Sequence, residues 1–159
     1  MQCTFEDNTL KVCDVIDSVK RQWLDDASSL VLATTQMNQR VGASGGGATG
    51  TKAHWDRYVT DDMAVVGNDL ENAIWEEYGT GVHAEDGKGR KTPWYVSVDG
   101  YVGYKRPTFQ GKVVVVYGKN GKRFYKTDGK KGIRPFRSAK DSCIPAIRRR
   151  LVELGGQLK

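Results

Sequence analysis

Residues 73–81 read Ala-Ile-Trp-Glu-Glu-Tyr-Gly-Thr-Gly. Two adjacent carboxylates stand between two aromatics, and the chain then runs into two glycines. Taken from Asp69, the stretch is a short helix ending at Tyr78. Asp69 is suited to cap the free amides at its start, and Leu70, Ala73, Ile74 and Glu77 share a face. Gly79 can take the left-handed conformation just past the end. Neighbours on a helix point about 100° apart, so Glu76 and Glu77 do not converge on one point. This spacing does not set two carboxylates across a substrate, as a glycosidase requires.

Upstream, residues 9–35 carry Val12, Val15, Ile16, Val19, Trp23, Leu24, Leu30 and Val31 at three- and four-residue spacing, which predicts a helix. Asn8 or Thr9 can cap its start, and fraying is expected at Thr34–Thr35. The glycine-rich run 41–50 follows. It lacks a Gly-Lys-Ser/Thr ending, which argues for a surface loop over a phosphate cradle. A short strand is expected over 62–67. Downstream, Gly79 to Thr92 reads as a long mobile loop, so the flexible stretches are about 41–53 and 81–92. Strands are expected at Trp94–Val98, Tyr101–Tyr104, Lys112–Tyr117 and Arg123–Lys126. The valine run 113–116 suggests burial on both faces, and Asn120-Gly121 suggests a type I′ turn. A final helix starts near Pro135 with Ile144, Ile147, Leu151 and Leu154 as its stripe. Pro145 should kink it or restart it behind Ser142, and Gly155-Gly156 should end it. The expected fold class is α+β: residues 1–159 form a single domain with one small antiparallel sheet. N- and C-terminal helices flank that sheet, and a short helix and long loops lie between strands.

At 159 residues, 38% hydrophobic and 28% charged, the chain suits one domain with a real core. No apolar run approaches the ~20 residues of a membrane span, and "MQCTFEDNTLKV" lacks the pattern of a secretory signal. Cys3, Cys13 and Cys143 are scattered without a C-x-x-C pair, and only His54 and His83 could join them. No metal or cofactor is expected, and the thiols are expected in or near the core.

Net charge is uneven. Residues 1–80 hold 6 Lys/Arg and 13 Asp/Glu, a net −7, and residues 81–159 hold 19 and 6, a net +13. That asymmetry fits two solvated faces, a nucleic-acid surface, or a molecule that attracts copies of itself. Lys119, Lys122, Arg123, Lys126, Lys130, Lys131, Arg134 and Arg137 interleave with Tyr117, Phe124, Tyr125 and Phe136. This hairpin could hold phosphates and stack bases, or its lysines could only keep an edge strand soluble. With no G-x-S-x-G and no histidine–carboxylate pair at useful spacing, no catalysis is expected.

The ordered set Val65-Val-Gly-Asn68, Asn72-Ala-Ile-Trp-Glu-Glu-Tyr-Gly-Thr80, Thr127-Asp-Gly129 and Arg134-Pro-Phe-Arg-Ser-Ala139 resembles the signature of the tailed-bacteriophage minor tail-component, or neck and tail-completion, proteins. Trp94-Tyr95 resembles an aromatic pair of that family, and Thr49-Gly50 resembles a remnant of its "TG" motif. The resemblance spans about residues 49–150. Asn72 departs from the usual tyrosine, Arg137 from an apolar residue, and the "TG" leucine is missing. The resemblance implies a structural virion protein without cofactor or reaction, assembled in the host bacterial cytoplasm. It would form a ring in the neck or tail, a hexamer or as a variant a dodecamer. Its partners would be a head-closure or connector protein and the tail-tube protein. Viral DNA would pass through the lumen without sequence-specific binding, and no membrane is involved. The alternative function is a small basic nucleic-acid-binding domain.

A ring needs two different, complementary faces on each subunit. The expected contact sets Glu71, Glu76 and Glu77 of one subunit against Arg134, Arg137, Arg148, Arg149 or Arg150 of the next. Trp75 and Tyr78 are either core anchors or partner contacts. The stretch 73–81 thus poses a question: do its carboxylates face their own core or a neighbour?

Overall fold

The computed structural model describes residues 7–39, 51–101 and 106–156. Residues 41–50 of the expected loop 41–53, the Thr49-Gly50 pair, Cys3 and most of the expected strand 101–104 lie outside them, while 51–53 form a turn.

The first helix, α1, spans Thr9–Asn38. Its start is held by Asp7, whose Oδ1 accepts from the Thr9 amide at 2.9 Å, and not by Asn8 or Thr9. The expected fraying at Thr34–Thr35 does not occur. Each hydroxyl donates to the carbonyl four residues back, Leu30 and Val31, at 2.8 Å, and Thr35 is fully buried. Two strands follow, β1 (Trp55–Val59) and β2 (Ala64–Asn68), paired antiparallel with Trp55 opposite Asn68. β1 was not expected from the sequence. The short helix α2 spans Glu71–Tyr78. Asp69 does not cap it; Asp69 Oδ1 meets His54 Nδ1 at 2.7 Å, while Asn68 Oδ1 accepts from the Leu70 amide at 3.0 Å.

The second sheet has three antiparallel strands in the order β3-β5-β4: β3 is Trp94–Ser97, β4 Val114–Tyr117 and β5 Arg123–Thr127. The valine strand is therefore an edge. Val113, Val115 and Tyr117 are exposed and only Val114 and Val116 are half-buried, so burial on both faces fails. A run of β-branched residues reports strand propensity, and position in the sheet sets burial. The β4–β5 turn also differs from expectation. Gly121 alone takes a positive φ, +68°, and its amide donates to the Gly118 carbonyl at 3.0 Å. That is a three-residue loop closed by a left-handed glycine, not a type I′ turn.

The last helix, α3, runs unbroken through Pro135–Gly155 with Pro145 inside it. Ser142 does not start a new helix; its hydroxyl donates to the Ala139 carbonyl at 3.0 Å. α3 packs antiparallel along α1. Asn38 Nδ2 donates to the Pro135 carbonyl at 3.2 Å, Trp23 Nε1 to the Ile147 carbonyl at 3.1 Å, and Arg150 Nε to Asp26 at 2.7 Å. The buried face of α3 is Pro135, Ala139, Cys143 and Leu154, while Ile144 and Leu151 stay exposed. Cys143 sits against Thr34 Oγ1 at 3.3 Å; Cys13 is exposed, contrary to expectation. The stripe of α1 likewise loses its first turns, where Val12, Val15 and Ile16 are open to solvent. Near the other end of α1, the buried Trp55 stacks on Phe136 with ring centroids 5.7 Å apart and donates to Gln39 Oε1 at 3.1 Å.

The fold is α+β, with two small antiparallel sheets in place of the expected one. The two long helices pack on each other, α1 packs on the β1–β2 hairpin, and α3 reaches that hairpin through Phe136 on Trp55; neither helix packs to this extent on the three-stranded sheet. No described helix is long and apolar enough to cross a membrane. Pro145 is exposed and cannot donate an amide within α3. Pro145→Ala is expected to raise the thermal midpoint, through a gain of up to about 3 kcal/mol from the restored helical hydrogen bond; thermal unfolding followed by circular dichroism measures it.

Candidate functional site

The segment 76–85 meets the segment 128–137 at the junction of α2 and α3. α3 begins awkwardly. Its flanking residue, Arg134, sits in the left-handed region (φ 53°, ψ 51°) and offers no side-chain cap, and Pro135 occupies the first helical position. The next two amides, of Phe136 and Arg137, need acceptors. Glu77 supplies both. Its Oε2 accepts from Phe136 N at 3.0 Å and its Oε1 from Arg137 N at 3.1 Å. The carboxylate is buried, and Arg137 Nε donates to the same Oε1 at 3.1 Å. Negative charge at a helix N-terminus is stabilised by the aligned peptide dipoles.

The exchange also runs the other way. The Glu76 carbonyl, near the end of α2, accepts from the amides of Ile133 at 2.7 Å and Arg134 at 3.3 Å. The Glu76 side chain turns away and pairs with Lys130. The two carboxylates diverge, as their helical spacing predicts.

Behind this, the chain segments cross as a short ladder. Thr80 N donates to the Lys130 carbonyl at 2.8 Å, Val82 N to the Asp128 carbonyl at 2.9 Å, and Lys130 N to Thr80 Oγ1 at 3.1 Å. The backbones lie so close that a Cβ on Gly81 would stand 2.0 Å from the Asp128 carbonyl oxygen, and one on Gly129 2.1 Å from that of Thr80. Both glycines hold positive φ, +62° and +115°. Residues 81–92, expected to be a mobile loop, instead form two short 3-10 turns, Gly81–His83 and Glu85–Gly87, built onto this crossing.

Glu85 completes the cluster by pairing with both Arg134 and Arg137. The Arg137 guanidinium also lies over the Tyr78 ring, 4.7 Å from its centroid. Hydrogen bonds to Glu85 first and Glu77 second raise the Arg137 pKa, so its charge is permanent. The hydrogen bond from Arg137 holds the Glu85 carboxyl below its ordinary value.

The expected contact residues thus divide. Glu76, Glu77, Arg134 and Arg137 pair within the chain, and Arg150 pairs with Asp26. Arg148 and Arg149 are exposed and have no ion pair among the described residues, as does Glu71. Trp75 and Tyr78, with Ile74, form an outward face of α2, 42%, 50% and 58% exposed. Asp128 and His83 were not singled out together from the sequence. Asp128 Oδ1 is buried without a hydrogen bond, and His83 Nε2 lies 3.7 Å away, too far for one. No spacing rule joins positions 45 residues apart. No family model matches the chain, and neither a curated protein nor a solved structure does.

Glu77→Ala leaves two helix amides and Arg137 without their acceptor, and is expected to cost about 3 kcal/mol. A chemical denaturation midpoint nearly unchanged would contradict the capping role. Because the Glu85 carboxyl lies lower when folded than unfolded, its contribution is present above its ordinary value of 4.5 and is lost as pH falls below it. Wild-type thermal stability should therefore drop below about pH 4.5, and Glu85→Gln should flatten that drop. Gly129→Ala should destabilise by several kcal/mol, roughly 3 or more, through strain and collision. Gly121→Ala, with open space around it, should cost only about 1–2.

Proposed function

We propose that this chain is a structural subunit of a ring at the head–tail junction of a tailed bacteriophage, a neck, tail-completion or tail-terminator piece. It would join the tail tube to the head and let DNA pass through the ring. The observation that carries this reading is the outer face of α2. Ile74, Trp75 and Tyr78 lie together there on the solvent side of a helix whose inner side is locked by Glu77 and Ala73. Large apolar side chains gathered on a rigid element suit a permanent protein contact more than a solvated surface.

The resemblance of the motifs adds support. "VGN", "EEYGT", "TDG" and "RPF" are far apart in the chain, yet each has a part in one junction. Asn68 ties the Thr51 carbonyl (2.7 Å) to the Leu70 amide ahead of α2, Glu77 caps α3, Gly129 admits Thr80, and Phe136 stacks on Trp55. A signature that encodes one structural unit is the kind a family of assembly proteins keeps.

The charge pairing expected between subunits takes a narrower form. Glu76, Glu77, Arg134 and Arg137 already neutralise one another or other groups within the chain, so the ring contact rests on the apolar α2 face with Glu71 beside it. Of the arginines expected at this contact, Arg148 and Arg149 are left for a neighbour. No reaction is assigned to the chain, and its place of action is the virion.

Electron microscopy and mass measurement of the purified protein, alone and with tail-tube and head-closure proteins, test this. Closed rings of six or twelve subunits are expected. Ile74→Asp with Trp75→Ala should leave the monomer folded and abolish the rings. A protein that stays monomeric with both partners present would overturn the proposal.

A further inference from the structure

The acidic half of the chain uses most of its charge internally. Asp17 and Asp62 hold Lys20, Asp61 holds Arg21, Asp25 holds Arg57, and Asp26 holds Arg150. The basic surplus is left elsewhere. Residues 93–131, which contain the three-stranded sheet, hold nine Lys/Arg against two Asp/Glu, a net +7. Of those two acids, Asp99 faces Arg123 at 3.4 Å and Asp128 is nearly buried. Lys112, Lys119 and Lys122 are exposed and have no ion pair among the described residues. Lys119 and Lys122 stand at the tip of the β4–β5 hairpin, which projects from a sheet the long helices do not cover. Lys126 lies along the same hairpin, its ammonium 3.9 Å from the Phe109 ring centroid.

A surface with this much unpaired positive charge calls for an anionic occupant. A second copy of the chain is less suited, because only five of its eighteen described acids have no ion pair, Asp7, Asp14, Asp56, Glu71 and Asp86, and they are spread from the start of α1 to the turn at 85–87. A nucleic acid is well suited, and the aromatic residues decide which form. A single strand needs a row of open rings for its bases. Here Tyr125 is buried and Phe124 half-buried. The two open rings among the described residues of this sheet lie on opposite faces, because Tyr95 is opposite Lys126 and Tyr117 is opposite Arg123, three residues apart on β5. Among the described residues the sheet offers no stacking platform. A two-stranded ribbon carrying lysines does, however, match the width of a duplex major groove and the phosphates that border it.

We propose that the β4–β5 hairpin is a contact surface for the phosphate backbone of double-stranded DNA, with Lys119 and Lys122 at its tip as the principal contacts and Lys112 and Lys126 as supports. The contact is sequence-independent. It does not require the ring, although in a ring it would mark the hairpin as the part turned toward the duplex.

The test is fluorescence anisotropy of the full chain with a labelled duplex of about 30 base pairs, long enough for a backbone contact, as a function of salt. The wild type should bind random sequences alike, with log K falling linearly against log salt by about 0.9 per phosphate contacted. Lys119→Glu with Lys122→Glu should weaken binding at least roughly ten-fold at low salt and make the slope shallower by about two. Lys11→Glu with Lys140→Glu, equal in charge change but placed on exposed positions of α1 and α3, should bind within about two-fold of wild type if position and not net charge decides. Four outcomes would overturn the proposal: no binding at low salt, equal losses in the two double variants, tighter binding to a single strand of the same length, or a hairpin variant that changes oligomer mass while binding DNA normally. The last would assign the surface to a second copy of the chain. Mass measured on the same samples reports the ring separately, so either reading can fail without the other.

Discussion

The junction depends on one buried carboxylate. Glu77 satisfies the first two needy amides of α3 and anchors Arg137 at the same time. Helix ends leave backbone groups that must find partners, and a buried helix end without them is strongly disfavoured. Arg134 in the left-handed conformation cannot supply the acceptor, and Pro135 fixes where the helix begins. Glu77 lies 59 residues from Phe136, so this cap joins distant parts of the chain instead of closing a local turn. The return bonds, donated by the Ile133 and Arg134 amides to the Glu76 carbonyl, fix how the two helix ends dock.

That docking sets what lies on either side. α3 is aimed back along α1, which creates the α1–α3 core, and Phe136 is carried onto Trp55. The crossing of 80–82 with 128–130 holds the three-stranded sheet at the end of this unit without a shared helical core. Glu76, Glu77, Arg134, Arg137 and Arg150 are neutralised within the chain. What stays exposed among the described residues includes an apolar face on α2 and an unneutralised basic hairpin, two surfaces of different chemistry on two different parts of the fold.

Several elements were legible from local pattern alone. α1, α2, α3 and the strands at 94–97, 114–117 and 123–127 follow from periodicity, strand propensity and glycine or proline punctuation, which act over a few residues. β1 was missed because Trp-Asp-Arg-Tyr-Val carries two charges that weaken its strand pattern, and its pairing with β2 supplies the order. The helix does not restart behind Ser142, because the hydrogen bond lost at Pro145 is a local cost, while packing of Ala139, Cys143 and Leu154 on one face holds the helix through it. The glycines of residues 81–92 suggest a mobile loop by composition alone. Gly81 and Gly89 stand where two backbones approach too closely for a side chain, and Gly87 holds a positive φ of +63° in a turn.

By itself, the sequence determined that the chain is α+β, that a short helix ends at Tyr78 and is stopped by Gly79, and that the adjacent glutamates on it diverge. These depend only on bond geometry and 3.6-residue periodicity, which every local segment carries. Only the tertiary structure decided which carboxylate turns inward, that its partners are the amides of a helix 59 residues away, that there are two sheets, and which basic residues are left unpaired. Capping and charge neutralisation are settled by proximity in space. No spacing along the chain records that proximity until packing has brought the two ends together.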